Sequence, residues 1–156
     1  MKDDFTMLEI AAWGGLLGNH SRMMRRIDAN LQEHSRITHP EFEALLRLSW
    51  ATNHRLRIQD LAAKSMLSRS GISRVVERLE RVGLVKREGA SEDRRGAYAV
   101  LTPAGLTRFE AALKAHVALV RQHFLEVFSE SELEQMATFW KRIENHNAKF
   151  ESNTKR

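Results

Sequence analysis

The chain has 156 residues, no cysteine and a formal net charge of +5, with 42% hydrophobic and 29% charged residues. This composition predicts one folded domain and excludes a disulfide framework, thiolate zinc sites and cysteine redox chemistry. Every apolar run is interrupted before the ~20 residues that a membrane helix needs, and no secretory signal opens the chain, which predicts a cytoplasmic protein without membrane contact.

The excess positive charge is concentrated in residues 54–95. They hold 11 Lys and Arg against 6 Asp and Glu, whereas the rest of the chain is neutral. A local basic segment is typical of a phosphate-binding surface. A solvated surface without any ligand would give the same count, so charge alone leaves both interpretations open.

The first third of the chain is predicted to form two helices. Apolar residues at helical spacing indicate a helix over residues 5–33. Residues 38–41 (Thr-His-Pro-Glu) have the pattern of a capping box, with proline in the first helical turn. They predict a second helix that runs to about Ala51, and a loop is predicted over residues 52–57.

A helix-turn-helix pattern follows. Residues 58–64 predict a short helix and residues 65–67 a turn, after which Ser68 is placed to cap a longer helix. Gly83 predicts the end of that helix. Its apolar residues recur at intervals of three or one residues and predict a buried stripe, formed by Ile72, Val75, Val76, Leu79 and Val82.

The opposite face of the longer helix has the chemistry of a DNA-reading surface. Arginine pairs with guanine and serine bonds to bases or phosphates, while the capped helix start offers backbone amides to phosphate. A helical hairpin inside an ordinary core is the alternative interpretation of this segment. The residues predicted to contact DNA from this helix are Ser68, Arg69, Ser70, Gly71, Ser73, Arg74 and Arg78.

A basic hairpin directly behind this helix favours the DNA interpretation. Residues 84–88 and 97–101 alternate between polar and apolar side chains and predict two strands. The polar tip between them carries Arg94 and Arg95, and adjacent arginines suit the narrow minor groove of DNA.

Residues 36–110 resemble the winged helix-turn-helix of the MarR family of bacterial transcriptional regulators. The ordered set that carries the resemblance is Leu61-Ala62, residues 68–74, Leu79-Glu80, residues 83–87, residues 92–95 and residues 100–105. It implies a mainly α fold with a small β-hairpin. The expected organisation is a single domain over residues 1–156, with a winged helix-turn-helix at 36–103 and dimerisation helices at 5–33 and 104–150.

The resemblance also implies partners and site residues. The family pattern holds an Asp-x-Arg in the wing, here Asp93 and Arg95, in which the aspartate orients the arginine and the arginine enters the minor groove. Members typically bind palindromic operators as homodimers and often release DNA when a small aromatic or phenolic ligand binds. The chain is therefore expected to be a repressor of this kind, and its lack of cysteine excludes the oxidant-sensing branch.

The last two predicted helices carry more apolar surface than one winged helix-turn-helix could cover. One runs from Pro103 to about Val127, and a capping box at residues 129–132 starts the other. An exposed apolar patch of this size marks an interface, here that of a homodimer, unless the helices fold back on their own domain. The predicted interface residues are Phe124, Phe128, Leu133, Met136, Trp140 and Ile143.

A binding site for an aromatic effector is predicted on the second helix. Arg47 and Trp50 lie on one face, together with Glu43 and His54, where a cation and an aromatic ring would suit an aromatic carboxylate. The facing wall would be formed by His20 and Met24. The alternative is that Trp50 packs against the neighbouring helix and Arg47 is solvated.

No motif predicts an enzyme, a cofactor or a metal site. The chain shows neither a nucleophile with a base nor a Gly-rich phosphate loop after a strand. His116 and His123 lie two helical turns apart, about 10.5 Å along the axis, which is too far to share one ion. The alternative to a DNA-binding regulator is a ligand- or protein-binding module that keeps the fold without operator binding, and a salt-dependent DNA shift separates the two.

Overall fold

The computed structural model describes residues 4–65, 67–89 and 97–154. By its internal contacts the chain divides into two compact units, Met1–Val117 and Ala118–Arg156. None of the described helices combines the length and apolar character that a bilayer crossing requires. The elements, in chain order, are α1 (Met7–Ser35), α2 (His39–Ser49), β1 (Arg55–Arg57), α3 (Ile58–Ala63), α4 (Arg69–Arg81), β2 (Val85–Glu88), β3 (Tyr98–Leu101), α5 (Pro103–His123) and α6 (Glu130–Thr154).

The predicted helix starts are confirmed by their capping hydrogen bonds. The backbone N–H of Thr38 donates to Glu41 Oε2 at 2.7 Å, and the Thr38 hydroxyl accepts from the backbone of Glu41 at 3.4 Å. The Ser68 hydroxyl accepts from the backbone N–H of Gly71 at 3.1 Å and so caps α4. The same reciprocal box joins Ser129 to Glu132 ahead of α6.

The sheet has three strands, one more than the sequence analysis predicts. Its order is β1-β3-β2, with both neighbouring pairs antiparallel. Residues 52–57, predicted as a loop, form a 3₁₀ turn (Thr52–His54) followed by β1. The prediction was wrong because a three-residue strand is too short for an alternating pattern, and its partner β3 lies some forty residues further along the chain.

The hydrophobic core of the first unit surrounds the buried face of α4. Four of the five residues of the predicted α4 stripe are buried, and the fifth, Val82, is 65% exposed. Val82 follows the last helical residue and caps the helix, and Gly83 then takes φ +74°, so the helical spacing no longer applies at that point. The largest fully buried side chains of this core are Leu31, Leu45, Leu48, Leu61, Ile72, Leu79, Val76 and Val85.

The junction between β3 and α5 is held by Thr102. Its hydroxyl lies 2.8 Å from the carbonyl oxygen of Gly83 and 3.1 Å from that of Leu84, and accepts from the backbone N–H of Gly105 at 3.0 Å. The backbone N–H of Thr102 also donates to the Leu84 carbonyl at 3.1 Å. The start of α5 is therefore fixed directly against the end of α4 and the start of β2.

In the second unit α5 ends earlier than predicted. The helix stops at His123 rather than near Val127, because Phe124 leaves helical geometry at φ −139° and ψ −59°, and residues 125–127 form a 3₁₀ turn. The turn brings the rings of Phe124 and Phe128 to 5.4 Å between centroids, edge to face. Aromatic pairs of this geometry add stabilisation beyond the area they bury, so the pair holds the corner ahead of α6.

Candidate nucleic-acid interface

The start of α4 presents an exposed basic face. Arg69, Ser70, Ser73 and Arg74 are exposed, whereas Gly71 is half-buried. Neither Arg69 nor Arg74 forms an ion pair or hydrogen bond with any residue that the structure describes. Both guanidinium groups are therefore available to an external partner, and the donors of arginine match the acceptors of guanine and phosphate.

Arg78 differs from the other arginines of this face because it has a partner inside the protein. Its Nε lies 3.2 Å from Glu41 Oε1, and the Glu41 side chain is only 7% exposed. The other oxygen of Glu41 accepts from the backbone and hydroxyl of Thr38 at the start of α2. One buried carboxylate thus connects the cap of α2 to α4, an arrangement that fixes the orientation of α4.

A second arginine connects α4 to the sheet. Arg87 on β2 donates to the backbone carbonyl of Ser73 at 3.0 Å, and its Nε lies 3.3 Å from Glu80 Oε2. Its backbone N–H donates to Glu80 Oε1 at 3.0 Å. The orientation of the hairpin relative to α4 is therefore set by hydrogen bonds as well as by apolar packing, which would let the two act together on one duplex.

The predicted wing contacts lie outside the described residues. Asp93, Arg94 and Arg95 fall in residues 90–96, between β2 and β3. The strands on either side are described and paired, with Glu88 opposite Tyr98 at the end nearest the tip.

The residues of the predicted effector site lie on α1 and α2. Met24 is half-buried and His20 is exposed on α1, while Trp50 follows the end of α2 and is 72% exposed. Arg47 lies 3.9 Å from Glu43, and its Nε is buried without a hydrogen-bond partner among the described residues. Trp50 is therefore not enclosed within a single chain. The side chain of Arg47 is half-buried, and its Nε donor has no hydrogen-bond partner among the described residues.

His116 on α5 is a titratable side chain held in an apolar setting. Its ring lies 4.9 Å from that of Phe42 and its Nδ1 is buried without a partner among the described residues. Burial, with a smaller contribution from the nearby His39, lowers the pKa of His116 below its ordinary value of 6.5. The described residues include no group of three His, Cys, Asp or Glu side chains that could hold a metal ion.

The predicted dimer residues of the second unit are half-buried or exposed. Phe124, Phe128, Leu133 and Met136 are half-buried, and Trp140 and Ile143 are exposed, with Trp140 at 40%. No residue of α6 up to position 150 is buried. A helix with this many apolar residues and no buried side chain has an apolar face that this chain leaves in solvent.

The N-terminal half of α1 carries a second apolar surface. Residues 5–33 were predicted to form a dimerisation helix, but none of them is among the predicted interface residues. Trp13 is 53% exposed, and the other large apolar side chains of this half are exposed as well. The number of apolar residues in this half could have predicted the surface, because a helix with more than one apolar stripe needs packing partners on more than one side. The exposed residues of this half are Met7, Leu8, Ile10, Trp13, Leu16 and Leu17, and Phe5, which precedes the helix, is exposed as well.

Comparison with known proteins assigns the same segment to a known family. Residues 37–96 match the model of the MarR family. AbsC, a MarR family transcriptional regulator from Streptomyces coelicolor, is 33% identical, with a TM-score of 0.87 over 94% of this chain and 99% of that chain. A second MarR family regulator from the same organism, solved in complex with DNA, is 26% identical, with a TM-score of 0.86 over 92% of this chain and 93% of that chain.

A third relative was identified by sequence similarity. The transcriptional repressor YetL of Bacillus subtilis is 32% identical over 92 residues, which span 59% of this chain and 54% of that protein.

Proposed function

The chain belongs to the MarR family of transcriptional regulators, which are not enzymes, and on that premise we propose that it represses transcription by binding a palindromic operator as a homodimer. The observation that carries the proposal is the start of α4, where Arg69 and Arg74 are exposed and have no hydrogen-bond or ion-pair partner among the described residues. Two copies of α4 would each read one half-site in adjacent major grooves. We also propose that the protein acts in the cytoplasm, where its operator DNA would be found.

Repression is the simplest consequence of operator binding by such a protein. A dimer that covers a promoter excludes the polymerase without needing any contact with it. The likeness to the repressor YetL supports the same direction of regulation.

An aromatic effector is proposed to control release from the operator. The Nε donor of Arg47, which has no hydrogen-bond partner among the described residues, and the exposed ring of Trp50 supply the chemistry that an aromatic carboxylate requires. His20 and Met24 on α1 are proposed to form the facing wall. Because a single chain leaves Trp50 in solvent, the proposed pocket closes only when a second protomer or the ligand covers it. The ligand would act by favouring a spacing of the two α4 helices that does not fit the operator.

The experiment that tests the proposed function is a mobility shift with DNA from the region upstream of the protein's own gene. We expect binding that weakens steeply as salt rises, because each phosphate contact releases counterions, and that exceeds binding to an unrelated duplex of equal length. A folded protein that binds neither duplex would instead support the ligand- or protein-binding module.

Replacing Arg69 by alanine should relax the preference for one operator position. A bidentate arginine–guanine pair accounts for about 1–3 kcal/mol of discrimination between bases. The sequences selected by the variant should therefore show no base preference at one position of each half-site. Arg78→Ala is the matched comparison on the same face. Because Arg78 is paired with the buried Glu41, its loss should lower the melting temperature without altering the selected sequence. Unchanged selection by the Arg69 variant would remove the base-reading role.

Replacing Arg95 by alanine should weaken operator binding by about 1–3 kcal/mol and leave the melting temperature unchanged. The expected reason is that the variant cannot make the minor-groove interaction that the family pattern assigns to this arginine. Asp93→Ala should cause a smaller loss, because the aspartate only orients the arginine. Equilibrium binding by fluorescence anisotropy measures both, with Arg94→Ala as the comparison: if only the Arg94 variant loses affinity, the roles of the two arginines are exchanged.

A further inference from the structure

Three helices, α1, α2 and α6, start with a capping box of the same kind, but the box of α2 has different surroundings. Glu9 in the first box and Glu132 in the last are exposed, and each accepts hydrogen bonds from its own cap residue. Neither forms an ion pair with any residue that the structure describes. Glu41, the corresponding residue of α2, is 6% exposed and has a partner on another helix.

The two carboxylate oxygens of Glu41 bind different helices. Oε2 accepts from the backbone N–H and the hydroxyl of Thr38, at 2.7 and 2.8 Å, and so belongs to the cap of α2. Oε1 lies 3.2 Å from Nε of Arg78 on α4. Apolar packing between two helices has no preferred direction, whereas a charge-assisted hydrogen bond does. The pair therefore restricts how α4 can turn against α2.

Stability alone is a poor explanation for this pair. Removing a carboxylate from water is costly, and an apolar pair in the same place is often as stable as a buried ion pair. The Arg78 side chain is also 56% exposed, so it does not need Glu41 as a partner in order to remain charged. The best-supported role of buried ionic groups is to select one arrangement of the elements that they join.

The residue next to Glu41 connects α2 to α5. The ring of Phe42 lies 5.7 Å from that of Phe109 and 4.9 Å from that of His116, both on α5. Phe42 is buried, and it contacts α5 within the same helical turn in which Glu41 contacts α4. The first turn of α2 therefore joins the recognition helix to the helix that precedes α6, the basis of the proposed dimer.

We propose that Glu41 is a positioning residue that holds α4 in a fixed orientation relative to α5 and thereby determines which spacing of half-sites the dimer accepts. This inference rests on the proposed function, because spacing has a meaning only when two copies of α4 bind one duplex. One added base pair moves the second half-site by about 3.4 Å along the DNA axis and about 35° around it. Two α4 helices held in fixed orientations cannot then meet both half-sites.

The experiment compares two probes by fluorescence anisotropy. The first is the palindrome that binding-site selection with the wild-type protein yields, and the second carries one extra base pair between its half-sites. The wild-type protein should bind the longer probe at least about tenfold more weakly, since the loss of even one aligned base contact has an effect of this order. Glu41→Gln should reduce this difference to about threefold or less, with the base preference within each half-site unchanged.

Glutamine is chosen because it separates the cap from the link between the helices. A capping box accepts glutamine in place of glutamate, but the amide has a single acceptor oxygen. If that oxygen stays with Thr38, the amide nitrogen faces Nε of Arg78, and two donors meet. The variant also loses a negative charge, which raises its affinity for every duplex. The comparison of the two probes cancels that gain.

Two further variants complete the test. Glu132→Gln makes the same replacement in the exposed box ahead of α6, so it should keep the wild-type difference between the probes. Arg78→Lys breaks the link from the side of α4 while keeping the charge, because an ammonium group cannot reproduce the geometry of Nε. It should reduce the difference between the probes as Glu41→Gln does. Circular dichroism melts confirm that each variant is folded at the temperature of the binding measurement.

The outcomes separate this inference from the proposed function. If Glu41→Gln and Arg78→Lys discriminate between the probes as sharply as the wild type, or if Glu132→Gln relaxes the discrimination equally, Glu41 has no positioning role. If the wild-type protein binds no DNA, the proposed function fails. If the wild-type protein binds both probes equally well, a dimer with fixed α4 helices is refuted, and the role of Glu41 is refuted with it.

Discussion

Replacing Gly105 with alanine should prevent the winged-helix unit from folding stably. Gly105 is a buried residue in the first turn of α5, at the point where the helix meets the end of the sheet. A methyl group built there would overlap the carbonyl oxygen of Leu84 and lie 2.8 Å from Leu101 Cδ1. The Leu84 carbonyl cannot easily turn away, because the backbone N–H and the hydroxyl of Thr102 both lie 3.1 Å from it.

The expected size of this effect follows from overpacking against backbone. Inserting a methylene group into a packed core commonly costs about 1–3 kcal/mol, and here the obstacle is a hydrogen-bonded carbonyl rather than a flexible side chain. We therefore expect a loss of about 3 kcal/mol or more, a large part of the roughly 5–15 kcal/mol that stabilises an ordinary domain. Thermal unfolding followed by circular dichroism measures it.

Gly89→Ala is the matched control for this prediction. Its added methyl group would meet no atom of the described residues within 4 Å, and its backbone does not have the positive φ of Gly83. The Gly89 variant should melt close to the wild type. If the Gly105 variant did the same, α5 would have to be free to move away from the sheet, and the close packing at Thr102 would be refuted.

Local signals in the sequence predicted the helices well, because caps and apolar periodicity act over a few residues. The boxes at Thr38 and Ser129 and the cap at Ser68 lie where the sequence placed them. Strand β1 was missed because Arg55–Arg57 becomes a strand only through its pairing with β3, a contact between distant parts of the chain.

The candidate site shows the same division between local and distant interactions. The exposed face of α4 follows from its own periodicity, and Arg69 and Arg74 lie on it as predicted. The pairing of Arg78 with Glu41 could not be predicted in this way, since the two residues lie nearly forty positions apart in the sequence and on different helices. The end of α5 was placed too late because Phe124 and Phe128 fit a helical stripe as well as they fit the turn that they form.

The apolar face of α6 is the basis of the proposed dimer. Trp140 is its largest side chain, and it is 40% exposed, beside Phe139 at 50% and Ile143 at 46%. Leaving three large apolar side chains of one helix in water is unfavourable, and a second copy of the chain would cover them. Aromatic residues of this kind contribute a large share of the binding energy at protein interfaces.

Replacing Trp140 by alanine should therefore convert the dimer into monomers at micromolar concentration. Truncating an interface residue of this importance costs about 2–4 kcal/mol, roughly a 30- to 1,000-fold increase in the dissociation constant of the dimer. Sedimentation should give the wild-type protein a mass about twice the chain mass of 18.0 kDa, and the variant the mass of one chain. Operator affinity should fall steeply although every predicted DNA contact is intact, because each monomer then binds its half-site independently of the other.

Lys141→Ala tests whether the effect belongs to the apolar face. Lys141 is the next residue along α6 and is exposed, so its loss changes helix composition without removing apolar surface. This variant should remain a dimer and bind the operator as the wild type does. A wild-type chain that sediments as a monomer and still binds a palindrome tightly would refute the interface. It would also refute release by a ligand that alters the spacing of two α4 helices, since no second helix would be held at a fixed distance from the first.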